Sequence, residues 1–122
     1  MVEKKKVCFD NKYVLGLTEN IVIQGKNGQK EKVIARIDTG ATQSSMDVKL
    51  AAQLQLGPII KTKFVKSASG SSIRPIVEVK IELAGHEINA EFSLANRSHL
   101  KYRVLIGQNI LDERFIIDPS KK

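Results

Sequence analysis

One acidic residue in this chain of 122 residues stands where a carboxylate could do chemistry. Asp38 follows a largely apolar run in which Val33, Ile34, Ala35 and Ile37 are predicted to be buried, and it is followed by Thr39, Gly40 and Ala41. An Asp before Thr and Gly can have a purely structural role in a turn, because Asp bonds its own backbone and Gly allows a positive φ. The apolar run instead predicts a carboxylate at the edge of a core, where it can act as a general base. Both interpretations stay open at this point.

The elements that must position Asp38 are predicted to be mostly strands. Two β-branched runs, ENIVIQG and EKVIARID, flank Asn27-Gly28. Both residues of that pair tolerate a positive φ, which predicts a hairpin ending at Asp38. The following MDVKLAAQLQLG changes to a helical period and predicts a helix capped by Ser45 or Asp47.

The second half of the chain continues this pattern. KTKFVK and IRPIVEVKIEL flank the small, polar SASGSS, which predicts a long hairpin with a mobile tip. HEINAEFSLA, YRVLIG and FIID predict further strands, and QNILDERF predicts a second short helix. No linker or repeat divides the sequence, so we predict a single domain over 1–122 with its core from about 19 to 118.

Charge and composition narrow the classes of partner. The net charge of +7 favours acidic partners in general. Aromatic residues make up only 5%, and no basic stripe alternates with stacking residues, which argues against nucleic acid and for a solvated basic surface. No run of eighteen apolar residues and no secretory leader is visible, so we expect no membrane contact and a cytoplasmic location.

Metal ligands are scarce in this sequence. Cys8, His86 and His99 lie far apart, and the His-Glu pair at 86–87 is not followed by a second His at the zinc-protease spacing. A glycine-rich loop ending in Lys-Ser or Lys-Thr, which would hold nucleotide phosphates, is also missing. We therefore predict neither a metal nor a cofactor.

The order of these features resembles that of the retropepsin-like aspartic peptidases. It runs from an Asp-Thr-Gly turn through a helix and a long hairpin to an apolar strand ending in Gly107 and a second helix. More narrowly, ARIDTGATQSSM, Arg74-Pro75 and LANRSHLKYRVLIGQNIL resemble bacterial and archaeal retropepsin-like proteins labelled ATP-dependent zinc proteases. The resemblance implies an all-β fold, a retropepsin-like single-lobe acid protease barrel with one or two short helices.

The resemblance also implies roles for individual residues. Asp38 would be the catalytic carboxylate. The active-site turn would continue through Thr39 and Gly40 to Ala41. The Thr39 hydroxyl would brace this turn against the matching turn of a second lobe, and Gly40 would let the two turns approach each other. The strand packed beneath this turn would contain Leu105, Ile106 and Gly107.

The hairpin 61–77 would be a flap that covers the cleft, although an ordinary surface hairpin is the alternative. The residues assigned to the flap are Ser67, Ala68, Ser69, Gly70, Ser71 and Ser72. Arg74 and Arg97 match basic positions of the family. They would bind an acidic substrate or form structural ion pairs with Asp or Glu, and both interpretations stay open.

Because one lobe supplies one carboxylate, the resemblance implies a homodimer with an Asp38/Asp38 dyad. Such a hydrolase would be an aspartic endopeptidase acting on peptides or unstructured protein segments, acidic ones among them. Viral retropepsins tie their lobes by ionic contacts at places occupied here by Thr42, Gln43 and Gln108, so an ionic tie is not expected. The alternative function is a non-catalytic retropepsin-like binding module for an acidic protein or RNA partner.

Overall fold

Alternating apolar residues place most of the described chain in β-strands. The computed structural model describes residues 8, 9, 11–68, 70–112 and 114–121, with the backbone alone at 8, 9 and 67. The strands are β1 Cys8–Phe9, β2 Lys12–Leu15, β3 Thr18–Gln24, β4 Lys30–Ile37, β5 Ser44–Asp47, β6 Ile59–Ser67, β7 Gly70–Leu83, β8 His86–Ala95, β9 Val104–Ile106 and β10 Phe115–Ile117. The two α-helices are α1 Val48–Gln53 and α2 Gln108–Leu111. Neither of them, nor any other helix in the described ranges, is long and apolar enough to cross a membrane.

Six of the strands close into a barrel. They follow the order β3, β4, β9, β5, β8, β7, and β7 returns to pair with β3. Strand β6 pairs with β7 and lies outside this ring. The predicted all-β single-lobe barrel with two short helices is confirmed.

The inward-facing residues of the strands fill the barrel. In β4, buried Val33, Ala35 and Ile37 alternate with exposed residues, as expected for a strand with one face on a core. Ile34, which was also predicted to be buried, is 54% exposed because it points to the other face. Met46 and Phe92 are fully buried from the opposite side of the ring. This packing fixes the register of β4 and therefore the position of Asp38, which follows its last residue.

Both predicted hairpins are confirmed, with one change at each turn. Asn27 and Gly28 have positive φ values of 59° and 76°, but they lie in a short 3₁₀ turn between β3 and β4. In the long β6–β7 hairpin, Ser67 pairs with Gly70. The strands therefore extend further than predicted, and Ser71 and Ser72 belong to β7 instead of the tip. Of the predicted flap residues, Ser69 lies outside the described residues.

The predicted first helix begins too early. Met46 pairs with Val104 of β9 and with Leu94 of β8, so the start of MDVKLAAQLQLG is a buried strand. The helical spacing of its apolar residues gave the wrong boundary because barrel pairing overrides a local preference. Helix α1 has six residues.

Asp47, one of the two predicted caps, does stand at the N-cap of this helix, but the predicted capping bond is not formed. Its carboxylate oxygen Oδ1 instead accepts the main-chain N–H of Arg97 at 2.8 Å. Ser45 is buried in β5, and within the described residues its hydroxyl has no hydrogen-bond partner. Asp47 therefore fastens the loop 96–103 to the barrel.

A second, three-stranded sheet joins the two ends of the described chain. β2 lies between β1 and β10 and runs parallel to β10. Beyond β10, the Lys121 ammonium lies 2.8 Å from Glu19 Oε2, which also accepts the N–H of Gly16 at 2.7 Å. The segment after β10 is thereby attached to the turn between β2 and β3. Of these strands, the sequence predicted β10 alone.

Candidate functional site

The Asp38 turn follows β4 directly and is bonded to β9. The Asp38 main-chain N–H donates to the Ile106 carbonyl at 2.9 Å. The carboxylate oxygen Oδ1 accepts the N–H of Gly40 at 3.0 Å, so Asp38 does shape its own turn. Within the described residues the second carboxylate oxygen accepts no hydrogen bond, and the side chain is partly exposed. The turn and a catalytic role are therefore compatible in the same residue.

The strand predicted to support this turn lies between β4 and β5. β9 runs parallel to β4 and antiparallel to β5, with Leu105 opposite Ser45. The chain from β4 to β5 must therefore pass over the end of β9. There the main-chain N–H of Gln108 donates to the Ala41 carbonyl at 2.7 Å. The structure thus brings the predicted turn and the predicted strand into direct contact.

Gly107 lies where this crossing is tightest. A Cβ atom there would lie 2.7 Å from the Ala41 carbonyl oxygen and 3.0 Å from that of Gln43. Both neighbours are backbone atoms, so they cannot move aside as a flexible side chain would. The absence of a side chain at this position is what lets the turn rest on the strand.

We therefore expect Gly107→Ala to destabilise the protein by about 1 to 3 kcal/mol, the usual cost of overpacking a close contact. The displaced Ala41 carbonyl should also move the Asp38 turn and lower any hydrolytic activity. Chemical denaturation with a peptide-cleavage assay would measure both effects. Unchanged stability would mean that the turn does not depend on this contact.

The side-chain amides of Gln108 and Gln43 form hydrogen bonds within the chain. The Gln108 side-chain amide donates to the Thr39 carbonyl at 2.7 Å. The Gln43 amide donates to the Glu91 carbonyl at 2.9 Å and accepts from the Lys63 ammonium at 3.1 Å. Two of the three positions at which no ionic tie was expected thus hold amides that bond within the same chain.

A hydrogen-bond network behind the turn was missed from the sequence. The buried Ser44 hydroxyl donates to Asn109 Oδ1 at 2.7 Å and accepts the N–H of Gly107 at 2.9 Å. The Asn109 amide donates to the Glu91 carbonyl at 2.9 Å. These bonds join β5, β8 and α2 beneath the candidate site. The available signal was a Ser in a buried strand and an Asn just after Gly107, but their meeting depends on contacts 65 residues apart.

The two predicted arginines lie in one electrostatic neighbourhood with Asp38. Burial lowers the pKa of Arg97, and the positive charges of Arg74 and Arg36 lower it further. The carboxylates of Asp47 and Asp38 act in the opposite direction. Two other cations and two carboxylates are therefore close enough to influence Arg97.

Among the described residues, the charged guanidiniums of the two predicted arginines donate hydrogen bonds to uncharged oxygen atoms. Arg97 Nε donates to the Tyr102 carbonyl at 3.1 Å, and Arg74 Nε donates to the Ser72 hydroxyl at 3.1 Å. Neither guanidinium forms a salt bridge with a carboxylate of the described chain. The structural ion pair considered for them is therefore not observed there. Arg36 was missed, although its place two residues before Asp38 puts both on one face of the strand.

A cleft of about 590 Å³ adjoins the far side of the turn at Thr42 and Gln43. His86 contributes to its wall, packs edge-on against Tyr13 at 4.3 Å, and has a buried Nε2 atom without a partner in the described ranges. No group of three or more His, Cys, Asp or Glu side chains suited to a metal occurs among the described residues. Independence from metals and cofactors stays a prediction.

Comparison with protein families and solved structures adds independent findings. A protein-family model described as RimB-like, retropepsin-like aspartic endopeptidase RimB, matches residues 49–122. A Legionella pneumophila protein of unknown function is similar in structure, with a TM-score of 0.62, 22% identity, and coverage of 89% of this chain and 95% of that one. The simian foamy virus protease has a TM-score of 0.52 and 21% identity, covering 75% and 87% of the two chains. At these identities the two structures show the fold alone.

Curated relatives carry a different name. Proteins named probable alpha-L-glutamate ligase from Shewanella halifaxensis and Shewanella pealeana are each 26% identical over 137 residues, covering 92% of this chain and 30% of theirs. One from Desulfotalea psychrophila is 31% identical over 64 residues, covering 52% of this chain and 14% of its own. The chain thus spans 30% of the length of the first of these relatives.

Proposed function

The chain belongs to the RimB-like family of retropepsin-like aspartic endopeptidases, and from this premise we propose that it is an aspartic endopeptidase that works as a homodimer. A two-fold axis would bring Asp38 next to the Asp38 of the partner subunit. The observation that carries the proposal is the Asp38 turn. One carboxylate oxygen fixes the turn, and the other accepts no hydrogen bond from the described residues.

In the proposed dimer, chemistry follows from two adjacent carboxylates. Two such groups, as in aspartic proteases, hold one proton between them because both cannot ionise at close range. The ionised member takes a proton from the water that attacks the peptide carbonyl, while the protonated member donates a hydrogen bond to the developing oxyanion. The proton taken from water then passes to the leaving amine as the C–N bond breaks.

We propose that acidic, unstructured segments are the preferred substrates. Arg36, Arg74 and Asp38 all influence the pKa of Arg97, so the three guanidiniums lie in one electrostatic neighbourhood with Asp38, and no salt bridge within the described chain neutralises them. The glutamate in the name of the curated relatives points to the same chemistry. The β6–β7 hairpin, with Ser67 to Ser72 at and beside its tip, would close over such a segment as a flap.

This substrate preference can be tested at Arg97. Arg97→Gln removes the charge but keeps the main-chain N–H that binds Asp47. We expect kcat/KM for a glutamate-containing peptide to fall by about ten- to a hundredfold, since a charge-assisted hydrogen bond contributes on the order of 1.5 to 3 kcal/mol. A neutral peptide should be affected much less. Lys80→Gln, the same charge change at an exposed position of β7, is the control. Equal losses for both peptides would contradict a role in charge recognition.

The experiment that tests the proposed activity is cleavage of a flexible peptide by the wild-type protein and by Asp38→Asn. One observation favours the binding-module alternative, namely that Gln108 bonds to Thr39 of its own chain. Without an ionic tie, the lobes depend on other contacts to pair. Absence of cleavage by the wild-type protein at any pH and concentration would support that alternative.

A further inference from the structure

Two lysines near the base of the β6–β7 hairpin bind groups on the body of the lobe. The Lys61 ammonium lies 3.1 Å from Glu91 Oε1 in β8. The Lys63 ammonium donates to the side-chain oxygen of Gln43 at 3.1 Å. Residues two apart in a strand point to the same face, so one face of β6 is turned towards both groups. The hairpin is therefore attached to the barrel by these side chains as well as through β7.

The Gln43 side-chain amide joins several parts of the lobe. Its nitrogen donates to the Glu91 main-chain carbonyl at 2.9 Å, while its oxygen accepts from Lys63 of the hairpin. Because an amide has one donor end and one acceptor end, a single orientation satisfies both partners. The residue lies in the segment between Asp38 and β5, and its carbonyl oxygen would lie 3.0 Å from a Cβ atom at position 107. Gln43 thus connects β6, β8 and the segment that follows Asp38.

Beyond Lys63 the hairpin projects from the barrel. Phe64 of β6 and Ile73 of β7 lie opposite each other and are 61% and 71% exposed. Such side chains bury little apolar surface, so packing contributes little to holding this part of the hairpin in place. Nearer the base, Ile76 and Val77 of β7 are fully buried. The bond from Lys63 to the Gln43 amide therefore lies at the boundary between the packed base and the projecting part.

We propose that Gln43 is a positioning residue for the peptidase reaction, because its amide sets the position of the hairpin relative to Asp38. The inference rests on the proposed function, in which the hairpin closes over the substrate. The charge-assisted hydrogen bond from Lys63 holds the hairpin where it leaves the barrel. The bond to the Glu91 carbonyl keeps the amide from rotating away. Since Gln43 acts through the hairpin, its loss should raise KM more than it lowers kcat.

A double-mutant cycle tests this coupling on a neutral, unstructured peptide. Gln43→Met removes both amide bonds, although the Glu91 carbonyl keeps its bond from Asn109, and Lys63→Met removes the hairpin bond alone. Each change should raise KM about threefold with little change in kcat, the size expected for a solvent-exposed charged contact. The double variant should bind no more weakly than Gln43→Met, because the same bond is lost once. Lys66→Met, the same change at another exposed lysine of β6, is the control and should leave KM unchanged.

Exchange of the two groups provides a rescue. Lys63→Glu combined with Gln43→Lys keeps the summed length of the two side chains. The introduced ammonium has three donors, so it can bind the introduced carboxylate and the Glu91 carbonyl together. The combined variant should return KM to the wild-type value, whereas each single change should not. A residue with a merely structural role would not be rescued in this way.

A readout without substrate separates this inference from the proposed activity. By NMR, the N–H order parameters of Phe64 and Ile73 should fall from about 0.85 towards about 0.6 in Lys63→Met and recover in the exchanged pair. Order parameters that stay at the wild-type level in Lys63→Met, or additive effects of the two Met substitutions on KM, would overturn the inference. If the wild-type protein cleaves no peptide, the proposed function fails, and the order parameters alone decide whether Gln43 positions the hairpin.

Discussion

Asp38→Asn is expected to abolish peptide hydrolysis while the protein stays folded. In the proposed mechanism Asp38 supplies the base that takes a proton from the attacking water, and an amide cannot do so. Loss of such a group lowers rates by about a hundred- to ten-thousandfold. The Asn side-chain oxygen can still accept the Gly40 N–H, which Asp38 Oδ1 accepts at 3.0 Å, so the turn should form. Measuring kcat/KM on an unstructured peptide together with thermal unfolding separates the two effects.

Asp118→Asn provides a closely matched control. Asp118 Oδ1 also accepts a main-chain N–H two residues along, that of Ser120 at 2.9 Å. Asp118→Asn therefore makes the same chemical change in a side chain that also accepts an N–H two residues along, but away from the candidate site. Activity should be retained. If Asp38→Asn unfolds the protein and the wild-type protein never cleaves a peptide, the role of Asp38 is limited to forming its turn. The chain would then be a binding module with the fold of a peptidase lobe.

The parts of this fold that the sequence predicts are those set by local chemistry. The β4 strand is visible from its β-branched residues Val33, Ile34 and Ile37. Because the run is almost continuously apolar, it did not show that Ile34 faces away from the core. The turn at Asn27 and Gly28 follows from two residues that adopt a positive φ. The Asp38 turn itself is a local motif. Its contact with β9 was expected only from the resemblance to a family.

The parts that the sequence misses depend on contacts between distant residues. Asp47 satisfies the local pattern of a helix cap, but its carboxylate binds the N–H of Arg97, 50 residues away. Met46 fits a helical stripe, yet pairing with β8 and β9 makes it part of a buried strand. Arg36 comes near Arg97 only because the barrel brings β4 and the loop 96–103 together. Local propensity cannot rank such alternatives, since closure of the barrel decides between them.

Mixing wild-type protein with an excess of Asp38→Asn protein is expected to suppress wild-type activity. In a hybrid pair, one subunit contributes a carboxylate and the other an amide that cannot hold the shared proton. With a tenfold excess of the variant and free exchange of subunits, about one tenth of the wild-type molecules would remain paired with each other. Activity per wild-type molecule should therefore fall to about one tenth of its value without the variant. Substrate is kept in excess so that the variant does not deplete it by binding.

The time course of mixing supplies the control. Immediately after mixing, before subunits exchange, activity should equal that of the wild-type protein alone, and it should fall as hybrids form. Dilution of the wild-type protein should likewise lower activity per molecule, because dimers dissociate by mass action. Since Gln108 bonds inside its own subunit, the loss on dilution should not increase steeply with salt, as it would for an ionic tie. Activity that stays proportional to wild-type concentration in both experiments would show that one carboxylate is enough, and the proposed dyad would have to be abandoned.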